Sequence, residues 1–182
     1  MSILPIFIPH AGCPHQCVFC NQKTISGQKL AAVAGAKEQL ARWRSWLRPS
    51  VVNEAAFYGG SFTGLPLELQ EELFALTDAL LAEGFIGSVR LSTRPDYIDE
   101  ERLQLLQCHG VRLVELGVQS LDDRVLAAAE RGHTAAQVAP AVALLKRFGF
   151  QVGLQLMVGM PEQSFDSVQE TVRKAIAMQP DV

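Results

Sequence analysis

Five times along its length this chain passes from a short apolar run into an amphipathic stretch. That alternation points to a parallel sheet flanked by helices. Strands are expected at residues 2–8, 51–58, 88–92, 111–118 and 151–158. Helices are expected at 30–47, from Pro66 to Gly84, at 99–108, 122–130, from Thr134 to about Phe148, and at 164–178. Leu69, Leu73, Leu76 and Leu80 recur at spacings of three and four and mark one helix face. Gly84, Gly110 and Gly132 are expected to stop helices. Residues 179–182 lead toward a sixth strand. The chain is therefore expected to hold five complete β/α units, 1–182 forming one core domain with the sixth strand and any C-terminal substrate domain outside it. The periodicity alone permits a doubly wound sheet or a barrel. Neither a G-x-G-x-x-G turn after the first strand nor a Walker A sequence is present.

With 182 residues, 48% of them apolar and 19% charged, the composition is that of a globular domain. A net charge of −3 lacks the basic bias of a sequence-independent nucleic-acid binder. The opening MSILPIFIP has no basic residue before its apolar run and no cleavage site, so a signal peptide is not expected. No apolar run reaches the roughly 20 residues of a membrane helix. A soluble, cytoplasmic protein without membrane contact is the expectation. In a reducing compartment, clustered cysteines serve as ligands or catalysts rather than as disulfides.

The chemically unusual residues fall at the carboxyl ends of the expected strands. A cysteine loop follows the first strand, Gly59-Gly60-Ser61 the second and Ser92-Thr93-Arg94-Pro95 the third. Gly117-Val118-Gln119-Ser120 closes the fourth, and Gln155 lies near the end of the fifth. In parallel α/β folds that edge carries the ligand site, so one pocket across the top of the sheet is expected. Blander readings exist for each residue. Gly59-Gly60 can be a plain turn. Arg131 can complement a helix dipole. Gln119 and Gln155, as buried amides, can satisfy structural hydrogen bonds. Cys108 reads as a packed thiol.

Cys13, Cys17 and Cys20 form a C-x3-C-x2-C set. A structural zinc site needs four ligands, and His10 or His15 could complete a Cys3His set, which stays open as an alternative. A disulfide would strand one thiol. An iron–sulfur cluster held by three thiolates, with one iron left open, is the better match.

CPHQCVFC, with Phe19 as its aromatic, resembles the C-x3-C-x-aromatic-C signature of the radical S-adenosylmethionine (SAM) superfamily. Gly59-Gly60-Ser61, STRPD (92–96), ELGVQS (115–120), RGHT (131–134) and LQLMVGMPEQS (154–164) resemble the branch holding the Elongator catalytic subunit and the oxygen-independent coproporphyrinogen oxidases. The resemblance implies a partial (β/α)6 TIM-like barrel. It implies that Cys13, Cys17 and Cys20 hold a [4Fe–4S] cluster whose open iron binds SAM. Gly59 and Gly60 would meet the SAM amino group, with Ser61 beside them. Arg131 would face the carboxylate, while Ser92, Gln119 and Gln155 line the methionine and ribose side. Many relatives carry a carboxylate at the positions of Ser92 and Gln155. The implied activity is reductive cleavage of SAM to a 5′-deoxyadenosyl radical, fed by a donor such as flavodoxin or ferredoxin, on an RNA or tetrapyrrole substrate. Two other readings remain. One is a non-catalytic zinc or iron–sulfur module. The other is a SAM methyltransferase without a cluster, which would want glycines where the cysteines stand.

Overall fold

The computed structural model describes residues 2–8, 13–20, 32–50 and 53–182. Its strands are β1 (Ile3–Phe7), β2 (Glu54–Tyr58), β3 (Ser88–Thr93), β4 (Val111–Gln119) and β5 (Gln151–Leu156). The helices are α1 (Ala32–Trp46), α2 (Leu67–Ala82), α3 (Glu100–Cys108), α4 (Asp123–Ala128), α5 (Val138–Arg147) and α6 (Phe165–Ala177). All neighbouring strands pair in parallel, and the spatial order β1-β2-β3-β4-β5 is the order in sequence. A doubly wound sheet reverses its order at a switch point; this one does not. Right-handed crossovers that always advance the same way put the helices on one face. The result is a five-stranded partial barrel with β1 and β5 as its edges.

Alternation in each strand decides what faces the helices. Leu4 and Ile6 of β1, Phe57 of β2, Leu91 of β3, Val114 and Leu116 of β4 and Val152 of β5 are buried in one core. They share it with Leu40, Leu73, Phe74, Leu103, Leu106, Val142 and Leu145 of the helices. The concave face differs. Where a closed barrel packs branched apolar side chains, this one carries a charged row. Arg90 of β3 lies between Glu54 of β2, at 3.4 Å, and Glu115 of β4, at 3.0 Å. Ser88 donates to the other oxygen of Glu54 at 2.9 Å.

Several boundaries differ from expectation, for local reasons. Pro66 is the N-cap residue of α2 rather than part of its first turn. The helix expected from Thr134 begins as a 3-10 turn, Ala135–Gln137, in which Gln137 Oε1 accepts from the Thr134 amide, and α5 follows. Helix α4 is stopped by Glu130, not Gly132. Glu130 takes φ +53°, and the Arg131 amide bonds back to the Leu126 carbonyl at 3.0 Å. Strand β5 ends at Leu156, whose pairing with Gln119 is closed by the Met157 amide donating to the Gln119 carbonyl at 2.9 Å. Cys108 is exposed near the end of α3, not packed as expected. Residues 181–182 run beside the outer edge of β5: Asp181 N donates to Val152 O at 2.7 Å, and Leu154 N to Val182 O at 3.1 Å. Among the described residues no helix is long and apolar enough to cross a membrane.

Candidate functional site

A cavity of about 350 Å3 opens at the carboxyl ends of the strands. Cys13, Cys17, Phe19, Cys20, Gly59, Gly60, Ser61, Ser92, Gln119, Arg131 and Gln155 all line it, so the structure brings every one of these candidates to one place. Thr93, Arg94 and Gly117, from the segments expected at that edge, line it too, as do His15, weighed from sequence only as a zinc ligand, and Tyr58, which sequence reasoning did not raise as a site residue. Among the described residues, no group of three or more His, Cys, Asp or Glu side chains is gathered for a metal ion. His10 lies outside the described residues.

The cysteine segment is anchored from below. Phe19 packs with Met157 against Val125, Ala129 and Met160, and the Val18 amide donates to the Ala129 carbonyl at 3.2 Å. Cys17 is buried, and its carbonyl accepts from the Cys20 amide at 2.8 Å in a tight turn. Two guanidiniums point at the sulfurs. Arg131 Nη1 lies 3.7 Å from Cys17 Sγ, and Arg94 Nη1 lies 3.9 Å from Cys13 Sγ.

Arg131 and Arg94 are both buried, and each is bound by more than sulfur. Arg131 Nη2 donates to Gly117 O at 2.6 Å, while its Nε is buried without a partner. Arg94 forks onto Asp96, with Nε–Oδ1 and Nη2–Oδ2 both 2.9 Å. Burial disfavours the Arg94 cation, but the Asp96 fork and the Cys13 and Cys17 thiols outweigh that and raise its pKa. Burial likewise pushes the Asp96 carboxyl up, yet Arg94 holds it below the usual carboxylate range. Beside them the His133 imidazole is buried, with no side-chain partner and only a weak contact to the Val118 backbone. Burial first, then Arg131 and Arg94, pull its pKa down to about 4. His15 is lowered by burial and then by Arg94.

The remaining wall is polar. Ser61 Oγ is already committed to Thr93 Oγ1 at 3.0 Å, and Thr63 shares that hydroxyl at 2.6 Å. Ser92 Oγ is buried with no partner. Gln119 is at φ +68°, a costly conformation for a side-chain-bearing residue and one that clusters at functional sites. Gln155 is exposed on the edge strand, so its amide is not the buried group that sequence reasoning expected. Burial and then Glu115 raise the pKa of Tyr58, which keeps its proton.

A parallel partial barrel with a cysteine-lined cavity at its carboxyl edge places the chain among α/β barrels whose functional site lies at that edge. The chain belongs to the Radical SAM superfamily, whose profile matches residues 7–175. It is 28% identical over 177 residues to an oxygen-independent coproporphyrinogen III oxidase of Synechocystis sp., covering 93% of this chain and 38% of that protein. It is 25% identical over 219 residues to a tRNA uridine(34) acetyltransferase of Methanocaldococcus infernus, covering 100% of this chain and 41% of that one. Coproporphyrinogen III oxidase from Escherichia coli, a radical SAM enzyme, has the same fold, with a TM-score of 0.73 at 22% identity over 99% of this chain and 42% of that one. Archaeal Elp3 from Methanocaldococcus infernus gives 0.64 at 22% identity, over 95% and 42%. The chain thus spans about two fifths of the length of these relatives.

Proposed function

We propose that this chain is the core of a radical SAM enzyme, holding a [4Fe–4S] cluster through Cys13, Cys17 and Cys20 and binding SAM in the adjoining cavity. One observation carries the reading: the eleven candidate residues, scattered from 13 to 155, all line a single cavity at the carboxyl ends of the strands. The donor set fits such a group by its chemistry. Three thiols line one cavity, though they are not drawn together as a ligand set, two guanidiniums offer N–H groups to two of the sulfurs, and Ser92 Oγ and Arg131 Nε stand buried without partners. Orphaned buried polar atoms cost free energy that a polar ligand would recover.

A cluster held there would supply the one electron needed to cleave the S–C5′ bond of SAM to methionine and a 5′-deoxyadenosyl radical, the hydrogen-abstracting species of this chemistry. The chain's own residues bind and orient. Gly59 and Gly60 offer backbone at close range to the amino group. The Nε of Arg131, buried without a partner, would meet a carboxylate oxygen, while Nη1 and Nη2 each already give one N–H to Cys17 and Gly117. Ser92 and Gln119 serve the methionine and ribose side, with Gln155 at the open edge. Phe19 presses the cysteine turn onto α4. An electron donor such as flavodoxin or ferredoxin, and a substrate from tRNA or tetrapyrrole chemistry, complete the proposal. The names of the relatives suggest both substrates.

The test is anaerobic reconstitution with iron and sulfide, then dithionite and SAM. A brown chromophore that bleaches on reduction, with release of 5′-deoxyadenosine, supports the reading. Stoichiometric zinc without SAM cleavage replaces it with a metal-binding module. Cys17→Ala is expected to lose the cluster, and unchanged iron content in that variant overturns the ligand assignment.

A further inference from the structure

Arg94 has no task in the proposed function, yet it is only 2% exposed and sits where three loops meet. It leaves the end of β3. Pro95 opens the 3-10 turn Pro95–Tyr97, which folds Asp96 back onto the guanidinium in a two-pronged fork. The remaining nitrogen, Nη1, is shared between Arg131 O, 2.8 Å away in the turn after α4, and Cys13 Sγ, 3.9 Å away in the cysteine loop. Burying a cation is costly unless its charge and donors are all met. Asp96 meets the charge, so the third contact is free to do something other than neutralise it. It joins the loop that carries Cys13 to the turn that carries Arg131.

We infer that Arg94 is a positioning residue for the cluster: it holds Cys13 Sγ against the Arg131 turn and, by donating N–H to that sulfur, makes the cluster easier to reduce. The inference rests on the cluster reading above. Reduction adds negative charge to the cluster and its thiolates, and a hydrogen bond to a ligating sulfur stabilises that charge. Arg131 offers the matching bond to Cys17 at 3.7 Å. Two of the three sulfurs are thus addressed by guanidiniums held by the Asp96 carboxylate and the Gly117 carbonyl.

The experiment compares the full chain, Arg94→Gln and Arg94→Lys, each reconstituted anaerobically, by iron content and by potentiometric titration followed by EPR. Arg94→Gln is expected to lower the equilibrium constant for cluster reduction about tenfold, a negative shift of ~59 mV for one electron. Arg94→Lys, which keeps the charge without the fork, should recover part of the shift. Full iron occupancy with an unchanged potential in Arg94→Gln overturns the inference alone. A wild-type chain that takes up no iron overturns the cluster reading and this inference with it. If the variants do not fold, wild-type protein carrying guanidino-15N arginine decides the matter. Pulsed EPR of its reduced cluster should show two inequivalent 15N couplings, and finding one or none overturns the inference.

Discussion

Arg131 Nη2 lies 2.6 Å from the carbonyl oxygen of Gly117, which ties the turn after α4 to the last residues of β4. The approach depends on glycine: a Cβ at position 117 would stand 2.9 Å from that same nitrogen. The two residues therefore specify each other across 14 positions of sequence. Together they hold the guanidinium at the floor of the cavity, with Nη1 toward Cys17.

Arg131→Lys is expected to lose that arrangement, because an ammonium cannot serve the carbonyl, the sulfur and a carboxylate in one plane. Leaving the Gly117 carbonyl unmet should cost about 1–3 kcal/mol of stability. SAM affinity should fall at least about tenfold, the value of one charge-assisted hydrogen bond. Urea unfolding and equilibrium dialysis with SAM read the two effects separately. Wild-type SAM affinity in the variant would remove Arg131 from the binding site.

Gly59 is at φ +90°, and an added Cβ would meet the Phe7 ring at 2.3 Å. Gly84 is at φ +67° with nothing within 4 Å. Gly84→Ala should therefore cost only the left-handed backbone penalty, about 1–2 kcal/mol. Gly59→Ala should cost that and the displacement of Phe7 besides, and should disturb the cavity rim. Equal urea midpoints for the two variants would show that the Phe7 overlap is absorbed without strain.

How much of this was legible beforehand follows from where each signal resides. Period-two and period-3.6 patterns in Leu4, Ile6, Leu73, Leu80, Leu103 and Leu106 report burial against the helices, so the strands and most helices could be read directly. Glycine pairs and clustered thiols are chemically rare, so the cavity's cysteines and Gly59-Gly60 stood out. Boundaries set by a single backbone bond were not readable, as with Glu130 taking the left-handed stop that glycine usually takes. The concave charges were also missed. Glu54, Arg90 and Glu115 lie on three different strands, and only register brings them together. Gln155 and Cys108 were misjudged because exposure of an edge strand or a helix end is a tertiary property. Arg94 stood within the STRPD segment at the expected pocket edge, but nothing in that motif told that its guanidinium folds back onto Asp96 and reaches Cys13.

Arg90→Met would leave Glu54 and Glu115 facing each other on the concave wall. Removing one member of a largely buried ionic set strands the others, typically at about 3–5 kcal/mol. The side chains here are 10–17% exposed, so the lower part of that range is expected. Replacing Glu54, Arg90 and Glu115 together by apolar residues should cost less than Arg90→Met alone, because no charge is then left behind. Chemical denaturation of both variants checks the order; the reverse order would mean that solvent already screens the row.

His133 gives the protein a specific acid sensitivity. Its imidazole is buried with only a weak contact to the Val118 backbone, and burial, Arg131 and Arg94 hold its pKa at about 4, against 6.5 for an unperturbed histidine. Between those values the unfolded chain binds a proton that the folded chain refuses. Stability is therefore fully present above about pH 6.5, falls as pH drops toward 4, and levels off once both states are protonated. The loss across that window is on the order of 3 kcal/mol. His15 is shifted the same way and adds to the slope, whereas Asp96, held below its usual range, acts only at lower pH. Urea unfolding of metal-free protein from pH 7 to 4.5 should show the decline, and His133→Leu should remove most of it. An equally steep decline in His133→Leu would assign the acid sensitivity to other groups and leave His133 without the charge-excluding environment described for it.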